Sequence, residues 1–213
     1  MKTIQFEGQD VPVHQIGRGR HSTVYQSNLN SIDIFFRTIT DNPFDDNVDW
    51  GKRILCTLQG KSHIPVMREL STKMKGGIEH TIYYSNWYAP LLGETAPEAY
   101  RQWKIIKQIQ EDLWLKHWQD VGNGKRYPIE LVGMMTERIE EEDVPQSLKD
   151  TMYQLYSWGS SYNNDLLLDV RKCNYRVDTE GVLLFTDPMF DQVVFWKAME
   201  RKMAIQRQRI RGY

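Results

Sequence analysis

Apolar and polar residues alternate along the first part of the chain. The alternation between positions 4 and 13, and two β-rich stretches at 24–25 and 32–36, are typical of strands with one buried face. The pattern predicts a sheet that begins with three antiparallel strands.

A helical pattern and a hairpin pattern follow. Apolar residues recur every four positions from Trp50 to Leu58, which predicts one helix that ends before Gly60. Beyond it, the stretches 66–74 and 78–84 flank two glycines, and glycines supply the positive φ of a tight turn. These two stretches therefore predict a β-hairpin.

The second half of the chain has mainly helical spacing. A long amphipathic helix is predicted from Pro97, and Pro145 fits the first turn of another helix that runs to about Tyr156. We expect loops at 122–124 and over the acidic stretch 137–143.

Two short apolar runs complete the pattern, at 166–169 and 182–185, with 178–181 as the turn of a small hairpin. The expected fold class is α+β with two lobes. Residues 1–91 form an antiparallel sheet with one helix, and residues 92–213 form a reduced, mainly helical lobe.

The composition is that of a globular protein. Hydrophobic residues make up 40% and charged residues 26%, which excludes a disordered or membrane-embedded chain. No apolar run approaches the roughly 20 residues of a membrane span, and we see no signal peptide. Cys56 and Cys173 are too few for a disulfide framework. We therefore expect a cytoplasmic location and no membrane partner.

The first candidate for chemistry is a glycine-rich turn between two predicted strands. Gly17 and Gly19 allow backbone N–H groups to approach phosphate oxygens, and Val24 follows at the spacing of G-x-G-x-x-G-x-V. Ser22 stands where that motif has its third glycine. A glycine pair alone also fits an ordinary hairpin turn, but the strand on each side favours nucleotide binding.

The second candidate is the D-x-x-x-x-N spacing from Asp169 to Asn174. In a kinase catalytic loop the aspartate accepts or orients the proton of the substrate hydroxyl, and the asparagine binds Mg²⁺. Arg171 lies where protein kinases place a lysine that contacts the transferred phosphate. In isolation, such a pair also occurs by chance in many loops.

The third candidate is Asp187, which ends an apolar strand before a proline. A carboxylate presented in this way can hold the Mg²⁺ that bridges the terminal phosphates of ATP. Because the glycine turn, Asp169, Asn174 and Asp187 follow one another in kinase order, we predict a protein-kinase-like fold that uses ATP and Mg²⁺. Residues 1–91 are then the nucleotide-binding lobe.

The cation that holds the α- and β-phosphates departs from the kinase pattern. The residue best placed on the third predicted strand is Arg37 instead of a lysine, and the following helix has no glutamate to pair with it. Lys52, in that helix, is the substitute. These departures leave open a pseudokinase that binds and inhibits a host protein complex.

Two further regions are candidates for binding. Trp87 and Tyr88 follow a predicted strand where a kinase hinge would contact adenine, although aromatic residues there more often serve packing. Residues 196–213 are basic and have helical spacing, which fits either a terminal helix with a solvated face or attachment to nucleic acid or an acidic protein.

The motifs together resemble one family. The segments 16–25, 58–65, 169–174 and 186–188 resemble the early protein kinase of T7-like bacteriophages, over roughly residues 10–190. The resemblance implies a serine/threonine kinase in the cytoplasm of the infected host. It also implies host proteins as targets, including transcription and RNA-processing machinery. Transfer of a different group, such as AMP, remains a weaker alternative.

Overall fold

The computed structural model describes residues 2–18, 22–41, 50–75, 78–121, 130–162 and 166–191. Its first half is a six-stranded antiparallel sheet in the order β1-β2-β3-β4-β6-β5. One helix, α1 (Trp50–Thr57), connects β4 to β5. The strands are β1 (Lys2–Phe6), β2 (Gln9–Arg18), β3 (Ser22–Ser27), β4 (Asp33–Asp41), β5 (Met67–Lys75) and β6 (Ile78–Asn86).

The expected three-strand start is wrong, because four strands precede α1. Glu7 and Gly8 have φ values of 50° and 80°, so the chain reverses between positions that the alternation joined into one strand. The strands β1 and β2 then pair antiparallel, with Ile4 opposite Val11. When the apolar residues of two consecutive strands continue one alternation, the pattern does not reveal the turn between the strands.

The sheet buries side chains on both faces. On β4, Phe35 lies in a small cluster with Tyr25 and Tyr84, whereas its neighbour Phe36 packs against the main core. Consecutive side chains of a strand point to opposite faces. We call the face of Phe36 the cleft face, because it is turned toward the second half of the chain, and the face of Phe35 the outer face.

The described residues of the second half form three helices and two small sheets. The sheets have the orders β10-β9-β7 and β11-β8. The elements are β7 (Ala89–Pro90), α2 (Pro97–Val121), α3 (Glu130–Glu140), α4 (Gln146–Tyr162), β8 (Leu166–Leu168), a 3-10 turn (Lys172–Asn174), β9 (Tyr175–Val177), β10 (Leu183–Phe185) and β11 (Met189–Asp191).

The expected fold class is confirmed: an antiparallel sheet with one helix precedes a mainly helical second half. The glycine turn joins two adjacent strands, and the hairpin after α1 returns to the edge of β4, which is the arrangement of a protein-kinase-like fold. In the part of the chain that the structure describes, no helix is long and apolar enough to cross a membrane.

One predicted loop is partly wrong. The acidic stretch 137–143 was expected to be a loop, but α3 extends through Glu140. Met135 and Ile139 are buried one helical turn apart, while the intervening charged side chains face solvent, so the stretch is an amphipathic helix. The loop expected at 122–124 and the helix expected over 196–213 lie outside the described residues.

A segment between α1 and β5 attaches the first half of the chain to the second. The carbonyl oxygen of His63 accepts the N–H of Phe185 at 2.9 Å. The His63 ring is 2.7 Å from the carbonyl oxygen of Leu183 through Nδ1 and 3.0 Å from the Ser147 hydroxyl through Nε2. His63 thus connects α1 to β10 and α4 through both its backbone and its side chain.

We predict that His63 makes stability depend on pH. Burial lowers the pKa of His63 below its ordinary value of 6.5, so the unfolded chain binds the proton more tightly than the folded chain. The stabilisation is therefore complete above pH 6.5 and is lost as the pH falls toward the folded-state pKa. Urea unfolding of the wild type and of His63→Asn, at about pH 8 and about pH 5.5, measures this dependence.

Asparagine tolerates the φ of 62° at this position but does not titrate. At high pH, His63→Asn should cost about 1–3 kcal/mol through lost buried hydrogen bonds, and the difference from the wild type should shrink on acidification. Gln15→Asn, an uncharged substitution at an exposed position of β2, is the control, and it should change the free energy of unfolding equally at the two pH values. A difference for His63→Asn that is constant with pH would contradict the prediction.

Candidate functional site

Two strands place Asp169 and Asp187 beside each other. The strand β8 ends just before Asp169, β11 begins just after Asp187 and Pro188, and the two strands pair antiparallel with Leu168 opposite Met189. The N–H of Asp169 donates to the carbonyl oxygen of Pro188 at 2.8 Å. Backbone pairing thus brings together two carboxylates that are 18 residues apart in sequence.

Asn174 joins the same group. Its carbonyl oxygen accepts the N–H of Thr186 at 2.9 Å, and its side-chain Nδ2 is 3.5 Å from the carbonyl oxygen of Asp169. The Asn174 side chain is buried, and among the described residues its Oδ1 has only the weak Cys173 thiol donor at 3.5 Å. The structure therefore gathers the three polar residues that the D-x-x-x-x-N spacing and the strand end singled out.

The helix α2 supports the loop that carries Asp169. The Trp103 indole N–H donates to the carbonyl oxygen of Val170 at 3.0 Å, and Gln110 Nε2 donates to that of Leu168 at 3.1 Å. Both donors come from the face of α2 that the amphipathic pattern directs inward. The sequence offered no sign that these side chains hold the backbone on either side of Asp169.

Arg171 grips the Asp169 carboxylate. Its Nε donates to both carboxylate oxygens, at 2.8 and 2.9 Å, and its Nη2 also contacts Oδ2. The hydrogen bonds to Asp169 raise the pKa of Arg171. Because the Arg171 side chain is 71% exposed and that of Asp169 is 8% exposed, the guanidinium orients a buried carboxylate while facing solvent.

A cation from α1 lies against Asp187. The Lys52 ammonium is 3.6 Å from Asp187 Oδ1, and the side chains are 7% and 44% exposed. The ammonium also lies over the Phe36 ring, 5.1 Å from its centroid, on the cleft face. Lys52, the substitute that the sequence suggested, therefore occupies the position between the sheet and the strand-end carboxylate.

Gly51 lets α1 approach Asp187 closely. A Cβ built on Gly51 would lie 2.0 Å from Asp187 Oδ1 and 3.2 Å from its Cγ, well inside van der Waals contact. Any larger residue at this position must displace the carboxylate. Sequence reasoning missed Gly51, because one glycine at the start of a helix carries no signal of what lies opposite it.

The structure places Arg37 away from this site. Arg37 is opposite Thr23 on β3 and Ile82 on β6, and it shares the outer face with Phe35. The next residue, Thr38, faces the cleft, where its hydroxyl is buried without a hydrogen-bond partner in the described part of the chain. The expectation that Arg37 reaches the phosphates conflicts with the alternation of β4, which turns its side chain outward.

The described positions on either side of the glycine turn lie on the cleft face, where Lys52 contacts Phe36. Gly17 is opposite Val24, Val24 is opposite Phe36, and Ser22 is opposite Thr38, so these positions share the cleft face. A Cβ on Gly17 would lie 3.7 Å from the Val24 side chain, an ordinary contact. Gly19 lies outside the described residues.

The two aromatic residues expected at the hinge differ in environment. Trp87 is 48% exposed, and its backbone N–H donates to the carbonyl oxygen of Ile32 at 2.7 Å. The Tyr88 hydroxyl accepts the N–H of Val66 at 2.9 Å, and burial raises the pKa of this phenol. Tyr88 therefore uses its polar end to hold the start of β5, which is a packing role.

The donors at the site suit Mg²⁺. Among the described residues, no group of three or more His, Cys, Asp or Glu side chains is arranged to hold a metal ion. Mg²⁺ does not require such a cage, because it binds through one or two carboxylates, substrate phosphates and water. The half-exposed Asp187 carboxylate and the weakly engaged Asn174 Oδ1 are oxygen donors of this kind.

Comparison with known proteins gives structural neighbours only. No protein-family model matches the chain, and no curated protein sequence matches it. The chain is similar to the GDP complex of a mutant aminoglycoside 2'-phosphotransferase IIIa, with 12% identity, a TM-score of 0.37, and coverage of 83% of this chain and 68% of that one. It is also similar to APH(2")-IIIa with GDP and kanamycin, with 13% identity, a TM-score of 0.39, and coverage of 87% and 67%.

We predict that Gly51→Ala disables the site without unfolding the protein. Alanine is the better helix former, but its Cβ would force the Asp187 carboxylate out of position. We expect Mg²⁺-dependent affinity for ATP, measured by calorimetry, to fall about tenfold or more, which corresponds to about 1.4 kcal/mol.

Thr57→Ala, at the exposed end of the same helix, should change neither affinity nor melting temperature. Wild-type affinity in Gly51→Ala would mean that the position of Asp187 is unimportant for nucleotide binding.

Proposed function

We propose that the chain is an ATP- and Mg²⁺-dependent phosphotransferase of the protein-kinase type, which phosphorylates serine or threonine hydroxyls of host proteins during bacteriophage infection. The observation that carries the proposal is the convergence of Asp169, Asn174 and Asp187 opposite a buried lysine. Such a group has the charges and donors that phosphoryl transfer uses: a base, metal-binding oxygens and a phosphate-binding cation.

The nucleotide is proposed to lie between the cleft face of the sheet and Asp187. Gly17 and Val24 belong to that face, and Thr38 offers it an unsatisfied buried hydroxyl. Lys52 replaces the strand lysine of ordinary kinases, since its ammonium lies between the Phe36 ring and the Asp187 carboxylate. Asn174 and Asp187 would hold Mg²⁺, which, when bound, neutralises charge on the phosphates.

Asp169 is proposed to orient the attacking hydroxyl and accept its proton. The carboxylate is buried, its backbone is fixed to Pro188, and Arg171 Nε donates to both of its oxygens. The exposed guanidinium of Arg171 adds positive charge where the transferred phosphate arrives. This arrangement favours transfer to an alcohol, because orientation and charge stabilisation account for most of the catalysis in this reaction class.

The finer part of the proposal concerns the target. Serine/threonine specificity and host proteins are supported by the resemblance of the segments 16–25, 58–65, 169–174 and 186–188 to the early kinases of T7-like phages. Transcription and RNA-processing proteins are the first candidates on that basis. The basic residues of 196–213 offer a means of attachment to such partners.

The pseudokinase alternative depended on Arg37 in place of the strand lysine and on the missing helix glutamate. The buried ammonium of Lys52 beside Asp187 supports transfer over that alternative. A binding role that does not need transfer remains the competing function, and the activity assay separates the two.

We predict that Asp169→Asn and Asp187→Asn each lower phosphate transfer about 100-fold or more, because one removes the base and the other a metal ligand. The assay follows label from γ-labelled ATP into the chain itself and into proteins of a host lysate. Asp150→Asn, an exposed carboxylate on α4, is the matched control and should retain activity. Equal labelling by all three variants would refute the assignment.

We also predict that Lys52, and not Arg37, is the phosphate-binding cation. Lys52→Met should reduce kcat/KM for ATP at least about tenfold more than Arg37→Met does, because only Lys52 faces Asp187. Methionine has a similar length, and the carboxylate that loses its partner, Asp187, is 44% exposed, so water can solvate the charge that is left. The opposite order of the two effects would assign the role to the strand.

A further inference from the structure

The outer face of the sheet contains a cavity that the proposed phosphotransfer site does not use. Its volume is about 310 Å³, at the lower end of pockets that bind small molecules. Side chains from β1, β3, β4, β5 and β6 line it, so the cavity spans most of the sheet. The residues that define its chemistry are Lys2, Ile4, Tyr25, Arg37, Lys73 and Ile82.

The charge of this cavity has one sign. Lys2, Arg37 and Lys73 contribute cations from three different strands, and no residue that lines the cavity is acidic. Neither Arg37 nor Lys73 forms an ion pair with any residue in the described part of the chain. A concave surface with one sign of charge and low-dielectric walls concentrates ions of opposite charge.

The remaining walls are apolar. Ile4 and Ile82 belong to the hydrophobic cluster of the outer face, and Tyr25 presents its ring beside them. Lys2 lies over that ring, 4.0 Å from its centroid, and its ammonium contacts the Tyr25 hydroxyl. The cavity therefore joins a cationic part to an apolar and aromatic part, and an ion without an apolar body would leave the second part unused.

We propose that this outer-face cavity binds a small phosphate monoester with an aromatic or apolar body. Arg37 offers the planar fork that matches two phosphate oxygens, and Lys73 adds a point charge from a neighbouring element. The aromatic or apolar body of the ligand packs against Ile4, Ile82 and Tyr25. The volume of about 310 Å³ accommodates a ligand of this size.

The outer-face cavity and the cleft lie on opposite sides of one strand. On β4, Phe36 and Thr38 face the cleft while Arg37 faces the cavity, and only the backbone separates them. The proposal does not depend on phosphotransfer activity, because neither Asp187 nor Lys52 lines the cavity. Binding at one place and failure at the other are therefore distinguishable.

Calorimetric titration with phenyl phosphate tests the proposal, with benzyl alcohol and inorganic phosphate as partial ligands. We expect phenyl phosphate to bind the wild type with Kd below about 1 mM, and each partial ligand to bind at least about tenfold more weakly. The double variant Arg37→Gln with Lys73→Gln should weaken phenyl phosphate at least about tenfold. Lys116→Gln, an exposed lysine of α2, is the control and should not.

The variant Lys52→Met distinguishes binding in the outer-face cavity from binding in the cleft. It should leave the affinity for phenyl phosphate unchanged. Loss of binding in Lys52→Met together with full binding in the double variant would place the ligand in the cleft and overturn the proposal. Equal affinities for inorganic phosphate and phenyl phosphate would overturn the part of the proposal that gives the ligand an apolar body. If the double variant has a lower melting temperature, a second variant is needed: Arg37→Lys with Lys73→Arg keeps both charges and should bind phenyl phosphate. Absence of binding in this charge-preserving variant, at wild-type stability, would overturn the proposal.

Discussion

The ion pair of Lys52 and Asp187 joins the two halves of the molecule at the candidate site. Lys52 comes from the helix that crosses the first sheet, and Asp187 comes from a turn near the end of the described chain. A buried ammonium needs a charged partner, because the free-energy cost of desolvating the charge otherwise exceeds the gain from packing. This requirement holds α1 against the turn, and the absence of a side chain on Gly51 lets the helix approach closely enough.

Backbone hydrogen bonds make the rest of the site stiff. Asp169 is tied to Pro188, Asn174 to Thr186, and His63 to Phe185, so the loop 169–174 and the segment at His63, which are distant in sequence, both attach to residues 185–188. Such bonds leave the carboxylates little freedom to drift. A site that acts by orientation and charge requires this rigidity, because small displacements of a catalytic group are costly.

The strand β4 illustrates why the sign of a residue's charge does not define its role. Arg37 and Lys52 are both cations near the expected phosphate position in sequence, and the kinase pattern favours the strand. The period of a strand sends Arg37 to the outer face, whereas the helix sends Lys52 beneath Phe36. The same alternation that buries Phe35 and Phe36 on two faces thus divides the cations between two separate environments.

Elements whose signals are local could be predicted from the amino-acid sequence alone. Periodicity gave the strands, the β5–β6 hairpin and α2, and spacing gave the Asp169, Asn174 and Asp187 series, because each depends on residues close together in the chain. The sequence pattern joined β1 and β2 into one strand, did not predict α3, and assigned the end of that helix to a loop, because a turn or an exposed helical face imitates another pattern. The partners of His63, the close approach at Gly51 and the outward orientation of Arg37 became visible only in the folded chain. These depend on which surfaces meet across long separations, and local patterns carry no record of the surface on the other side.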